Sequence, residues 1–122
     1  MRLYVFVYGT LKRGFSLHKY LAKAKFLGEA ELSGYVMYDL GWYPGIKPGR
    51  GKIHGEVYEI DLGTLALLDE IEEEGKEYER RLLPVQLKDG SVLKAFVYVY
   101  RGDVSRRPVV KSGCWTKKDV SD

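Results

Sequence analysis

The stretch Tyr4-Val5-Phe6-Val7-Tyr8 has no polar face. Leu3, Val5 and Val7 fall on one side of an extended chain and Tyr4, Phe6 and Tyr8 on the other, so a strand from Arg2 to Tyr8 has to be covered on both sides. Phe96-Val97-Tyr98-Val99-Tyr100 has the same character far along the chain. A chain of 122 residues has room for one domain. Two-faced strands in so short a chain favour a sheet that curves onto itself, which predicts an α+β domain built on a small closed mixed β-barrel.

The remaining segments fit that expectation. Gly9-Thr10-Leu11-Lys12-Arg13-Gly14 reads as a loop bounded by glycines, after which Ser16 can cap a short helix through Leu17, Tyr20 and Leu21. Residues 26–40 read as one or two strands interrupted at Ser33-Gly34. Residues 41–51, dense in Gly and Pro, predict an irregular surface loop. Lys52 to Ile60 is a further strand, and Asp61 to Gly75 a helix opened by Asp61 or Thr64 and stopped by Gly75. Tyr78 to Leu87 and Val92 to Arg101 form a hairpin across Lys88-Asp89-Gly90-Ser91. The total is about six strands with two flanking helices in a single domain over 1–122, with a core over about 2–101 and a polar, basic tail from 102 whose last residues are expected to be mobile.

Much chemistry is excluded by what is missing. The chain has two histidines, His18 and His54, in no ligand spacing, and one cysteine, Cys114, so no metal site and no internal disulfide are expected. No serine sits in a Gly-x-Ser-x-Gly turn and no phosphate-binding loop is present. Cys114 reads as an incidental thiol. The net charge of +3 is thinly spread, with Lys117-Lys118 and Arg106-Arg107 the basic pairs outside the folded segments, so no nucleic-acid partner is expected. No apolar run approaches a membrane span, and Met1 to Val7 is too short for a signal peptide, so a cytoplasmic protein is expected.

Carboxylates are the reactive groups that remain, concentrated at Asp69, Glu70, Glu72, Glu73 and Glu74. On a helical wheel whose buried direction is set by Leu65, Leu67, Leu68 and Ile71, Glu73 lies about 170° away and Asp69 and Glu70 about 130° away. Glu72, at about 70°, is nearest to the apolar face, with Glu74 at about 90° too close for the wheel to separate them. A carboxyl on such a shoulder is partly desolvated, which raises its pKa toward neutrality. The second candidate is the strand-to-loop junction Tyr8-Gly9-Thr10-Leu11-Lys12, where a glycine lets successive backbone N–H groups converge on an anion.

These pieces occur in a recognisable order. Tyr8-Gly9-Thr10-Leu11-Lys12, Gly41-Trp42-Tyr43-Pro44-Gly45, Gly55-Glu56-Val57-Tyr58, Leu68-Asp69-Glu70-Ile71-Glu72 and Tyr78-Glu79-Arg80 together resemble the gamma-glutamylcyclotransferase-like (AIG2-like) family over about residues 3–101. The resemblance implies a flanked β-barrel and an enzyme that converts a γ-glutamyl amine or peptide into 5-oxoproline and a free amine, without cofactor. It implies Glu72 as the catalytic acid/base and Tyr8 to Lys12 as the substrate-binding loop. Tyr43 and Tyr78 would line the site, with Arg80 in a structural ion pair. Where family members often carry Gly-Asp-Trp, this chain has Gly113-Cys114-Trp115, which leaves no acidic residue for the tail to contribute there. A binding module that holds a small anionic metabolite without transforming it is the alternative.

Overall fold

The computed structural model describes residues 2–117. It contains five strands, β1 (Leu3–Val7), β2 (Lys25–Asp39), β3 (Pro44–Ile60), β4 (Tyr78–Leu87) and β5 (Val92–Tyr100), one α-helix, α1 (Leu62–Ile71), and a single 3-10 turn at His18–Leu21. The strands close into a barrel in the order β1-β3-β2-β4-β5. All pairings are antiparallel except the one that closes the ring, where β1 and β5 run parallel with Val5 opposite Phe96. The two sequence segments without a polar face are thus the two that meet at the seam. Val5 and Val97 are fully buried there.

Two apolar clusters follow from the alternation along the strands. One set, including Phe6, Ala30, Leu32, Met37, Ile46, Ile53, Val57, Val85, Ala95 and Val97, fills the interior. The other, including Val5, Val7, Tyr58, Ile60 and Tyr98, is covered by Leu65 and Leu68 of α1 and by Leu21 of the 3-10 turn. Both faces of β1 are therefore buried, as an apolar strand on both alternations demands.

Three expectations are corrected. There are five strands rather than about six, because 25–39 is one strand that absorbs Ser33-Gly34 as a register shift against β3. Residues 44–51 are not loop but the first half of β3, paired with the end of β2 from Asp39 opposite Pro44 to Tyr35 opposite Pro48. The glycines are required by close approach: a Cβ on Gly51 would lie 2.6 Å from the Tyr35 carbonyl oxygen. Only one of the two flanking helices is an α-helix, and it stops at Ile71 rather than running to Gly75. Its start is settled in favour of Asp61, whose carboxylate accepts the Thr64 N–H at 2.7 Å.

The tail is part of the barrel rather than an appendage. The Asp39 N–H donates to the Pro108 carbonyl, Val110 N–H to Met37 and His54 N–H to Gly113, at 2.8 to 2.9 Å. These bonds carry Trp115, 2% exposed, into the interior cluster. The mobility expected of the last residues falls on positions outside the described ones.

Candidate active site

α1 ends one residue before the carboxylate singled out from the sequence. Glu72 caps the helix with its N–H on the Leu68 carbonyl at 2.9 Å, and Glu73 turns the chain by adopting φ 50°, a left-handed conformation uncommon outside glycine. The wheel's periodicity therefore ends just short of Glu72. Its place is set instead by the anchoring of α1 on the barrel. Asp69 accepts the Tyr98 hydroxyl at 2.7 Å and pairs with the Arg80 guanidinium, which itself lies 4.9 Å from the centre of the Phe96 ring. Arg80 thus sits in a structural ion pair, and Asp69, far from the apolar direction on the wheel, faces β4 and β5.

Opposite the helix end, the chain leaves β1 through Tyr8 into a tight turn in which the Lys12 N–H returns to the Gly9 carbonyl at 3.0 Å. Leu17 N–H donates to the Thr10 carbonyl at 2.9 Å and fixes the far side of the loop. Among the described residues, the N–H groups of Gly9, Thr10 and Leu11 have no backbone or side-chain acceptor within the protein. The start of β3 and the start of β4 complete the wall. The Tyr78 hydroxyl donates to the Pro44 carbonyl at 2.7 Å, the Tyr43 hydroxyl to Glu77 Oε1 at 2.5 Å, and the Tyr8 hydroxyl to the Tyr98 carbonyl at 2.5 Å.

These groups enclose a cavity of about 290 Å³. Tyr8, Gly9, Thr10, Leu11, Tyr43, Glu72 and Tyr78 all line it. Lys12 does not. Its backbone closes the loop, but its side chain, 8% exposed, donates to the Trp115 carbonyl at 2.8 Å and ties the tail to the barrel. Tyr98 and Glu77 line the cavity without having been singled out from the sequence. Tyr98 carries a weak signal in the alternation of β5, whereas Glu77 lies in a connecting turn where no periodicity marks it.

The electrostatics follow from burial. Desolvation, reinforced by the neighbouring charge of Glu77, pushes the Glu72 carboxyl up from 4.5 to about 7. No ion pair or side-chain hydrogen bond to another described residue offsets this. Burial also raises the phenols of Tyr8, Tyr78 and Tyr98 above their ordinary value, so each stays a neutral hydrogen-bond donor. Tyr43 is pushed up to about 12, chiefly by its hydrogen bond to Glu77. The cavity therefore combines a carboxyl whose pKa is raised toward neutrality with main-chain donors that have no partner among the described residues.

A second hollow, of about 400 Å³, is lined by Lys12, His54, Cys114 and three glutamates among others. Its carboxylates are spoken for: Glu29 pairs with Lys88, Glu31 with Lys52 and His54, and Glu56 with Arg13. Among the described residues, no group of three or more His, Cys, Asp or Glu side chains could hold a metal ion, and no helix is long and apolar enough to cross a membrane.

Comparison with known proteins bears on the same segments. Residues 5–117 match the model of the family described as gamma-glutamyl cyclotransferase, AIG2-like. The gamma-glutamylcyclotransferase family protein YtfP of Escherichia coli is 41% identical over 115 residues, covering 94% of this chain and 97% of that one. Among solved structures, protein PH0828 from Pyrococcus horikoshii superposes with a TM-score of 0.74 at 41% identity, covering 92% and 88% of the two chains. An AIG2-like protein from Mus musculus superposes with a TM-score of 0.81 at 27% identity over 99% of both.

Proposed function

The chain belongs to the gamma-glutamyl cyclotransferase, AIG2-like family, and from that premise we propose that it cyclises a small γ-glutamyl amine or peptide to 5-oxoproline, with Glu72 as the acid/base. The observation that carries this is the pairing, across one cavity, of a carboxyl held near neutrality with the amides of Gly9, Thr10 and Leu11.

In this reaction the substrate's own α-nitrogen attacks its γ-carbonyl carbon. One C–N bond forms to close the ring and the amide C–N bond to the leaving amine breaks. The nucleophile is tethered, so no covalent enzyme intermediate is required, which suits a site without Ser or Cys in reach. The bookkeeping of protons sets what the protein has to do. The α-nitrogen enters as an ammonium and ends as a lactam N–H, losing two protons, and the leaving nitrogen gains two on its way from amide to free ammonium. A single carboxyl between the two nitrogens can carry both, accepting each proton as a carboxylate and delivering it as an acid, and a pKa near 7 suits both directions.

The amides after Tyr8 supply the grip on the substrate's α-carboxylate. Among the described residues no Lys or Arg lines the cavity, so backbone donors are the groups available for an anion. Tyr78, a neutral donor already engaged with Pro44, shapes the wall beside the reacting carbonyl. The same reading needs no metal or organic cofactor and places the reaction in the cytoplasm. Incubating the protein with a panel of γ-glutamyl amines and peptides, and quantifying 5-oxoproline and free amine, tests it. Equimolar release of the two is expected from at least one member. Binding across the panel without product supports the non-catalytic module instead.

A further inference from the structure

The second hollow, of about 400 Å³, has a buried cation on its wall. Lys12 and Gly55 are buried there, Glu31 and Cys114 half-buried, and Glu29 and Lys88 exposed, so paired charges lie at the rim and the ammonium lies inward of them. The Lys12 backbone belongs to the turn after β1, but its side chain reaches the Trp115 carbonyl at 2.8 Å, next to Cys114, which lines the same hollow. The ammonium also lies 5.1 Å from the centre of the Phe15 ring.

That is thin compensation for a charge that is 8% exposed. An ammonium has three donors, and the Trp115 carbonyl takes one of them. Among the described residues no carboxylate comes within ion-pairing distance of Lys12, although three glutamates share its hollow. A buried cation without a counter-charge is costly, and an anion entering the hollow removes that cost. The glutamates do not screen it equally. Glu56 accepts the Arg13 N–H and the Tyr58 hydroxyl, each at 3.0 Å, and Glu29 accepts from Lys88 at 3.1 Å. Glu31 meets Lys52 at 3.7 Å and His54 at 3.4 Å, both beyond ordinary hydrogen-bond length, and receives no hydrogen bond among the described residues.

The hollow therefore offers an inner cation short of an acceptor, an acid short of a donor, and an apolar wall at Ala30 and Leu87. We propose that it is a second binding site, separate from the cavity of Glu72, for a free α-amino acid whose carboxylate meets Lys12 and whose ammonium meets Glu31. The site stands whether or not Glu72 is catalytic.

The test is an amide NMR titration of the whole chain with L-leucine, compared with 4-methylpentanoate, which lacks the ammonium, and L-leucinamide, which lacks the carboxylate. Leucine should shift the signals of Glu31, Gly55 and Cys114, and each analogue should bind at least about tenfold more weakly, as expected for loss of a charge-assisted hydrogen bond. Lys12→Gln should reduce leucine affinity to about that of leucinamide, and Glu31→Gln to about that of 4-methylpentanoate. Glu31 is part-exposed, so its variant decides the matter even if Lys12→Gln fails to fold. Shifts confined to Gly9, Thr10 and Leu11 would assign leucine to the first cavity and overturn the second site. Equal affinity for the three probes, leucine binding unchanged by Glu31→Gln, or no shift at all overturns it as well.

Discussion

Gly9 lies against Pro44 so closely that a Cβ built on it falls 2.8 Å from both Cγ and Cδ of the proline ring. The contact joins the loop after β1 to the first residue of β3, and both residues line the cavity. A proline ring cannot swing aside as a flexible side chain does. Gly9→Ala therefore has to displace either the turn or the start of β3, at a cost of about 1–3 kcal/mol. Thermal unfolding should show a fall of roughly 4 °C per kcal/mol for a domain of this size, together with weakened binding of γ-glutamyl ligands. An unchanged melting temperature would show that the two segments part easily.

Burial of Glu72 makes a prediction about stability that is independent of catalysis. Its carboxyl is raised from 4.5 to about 7 in the folded protein, so between those values the native state holds a proton that the unfolded chain has lost. Stability contributed by this group is present below the lower value and is lost as pH rises through the higher one. Glu72→Gln removes the dependence. Denaturant unfolding of parent and variant at pH 5 and pH 8 should show the parent losing about 2–3 kcal/mol relative to the variant across that interval. A constant difference between the two proteins contradicts the assignment of a buried, unpaired acid.

In the proposed mechanism the same carboxyl sets the pH dependence of turnover. kcat/KM should climb as Glu72 loses its proton, with a midpoint near 7. Part of the upward shift comes from the charge of Glu77. Glu77→Gln should therefore move the midpoint to lower pH, and a midpoint that stays put or moves upward would separate Glu77 from the titration.

Trp115 offers a contrast between two substitutions at one position. It fills the barrel interior at 2% exposure, and its indole N–H has no hydrogen-bond partner among the described residues. Trp115→Ala should cost about 3–5 kcal/mol of stability. Trp115→Phe, which keeps most of the apolar volume and removes a buried donor without a partner, should cost far less, about 1–2 kcal/mol. Equal losses in urea unfolding would mean that the N–H is satisfied after all.

The barrel was legible because β1 and β5 have no polar alternation, and a strand without a polar face leaves the chain few ways to cover it. The beginning of β3 was not, because the Gly and Pro that signal a loop are also what a tightly paired strand uses where another backbone comes within reach of a side-chain position, as at Gly51 and Tyr35. The helical wheel narrows the acids only to Glu72 and Glu74, and it does not strictly apply to either, since α1 ends at Ile71; the choice of Glu72 comes from the family resemblance. The residues that share its cavity, Tyr8, Tyr78 and Tyr98, come from segments far apart in the chain. The direction of the Lys12 side chain was hidden for the same reason. Its partner, Trp115, lies 103 positions away, and nothing local to Gly9-Thr10-Leu11-Lys12 distinguishes a side chain that enters the cavity from one that leaves it.

A side-by-side rate measurement most directly tests the proposed role of Glu72, one half-buried carboxyl that shuttles both protons. Parent and Glu72→Gln are incubated at pH 7.5 with a γ-glutamyl amine that the parent turns over, 5-oxoproline is followed with time, and melting curves establish that both are folded. A fall of about 10²-fold or more in kcat with a folded variant that still binds the substrate is the predicted result. Comparable rates of 5-oxoproline formation by the two proteins would remove Glu72 from the chemistry.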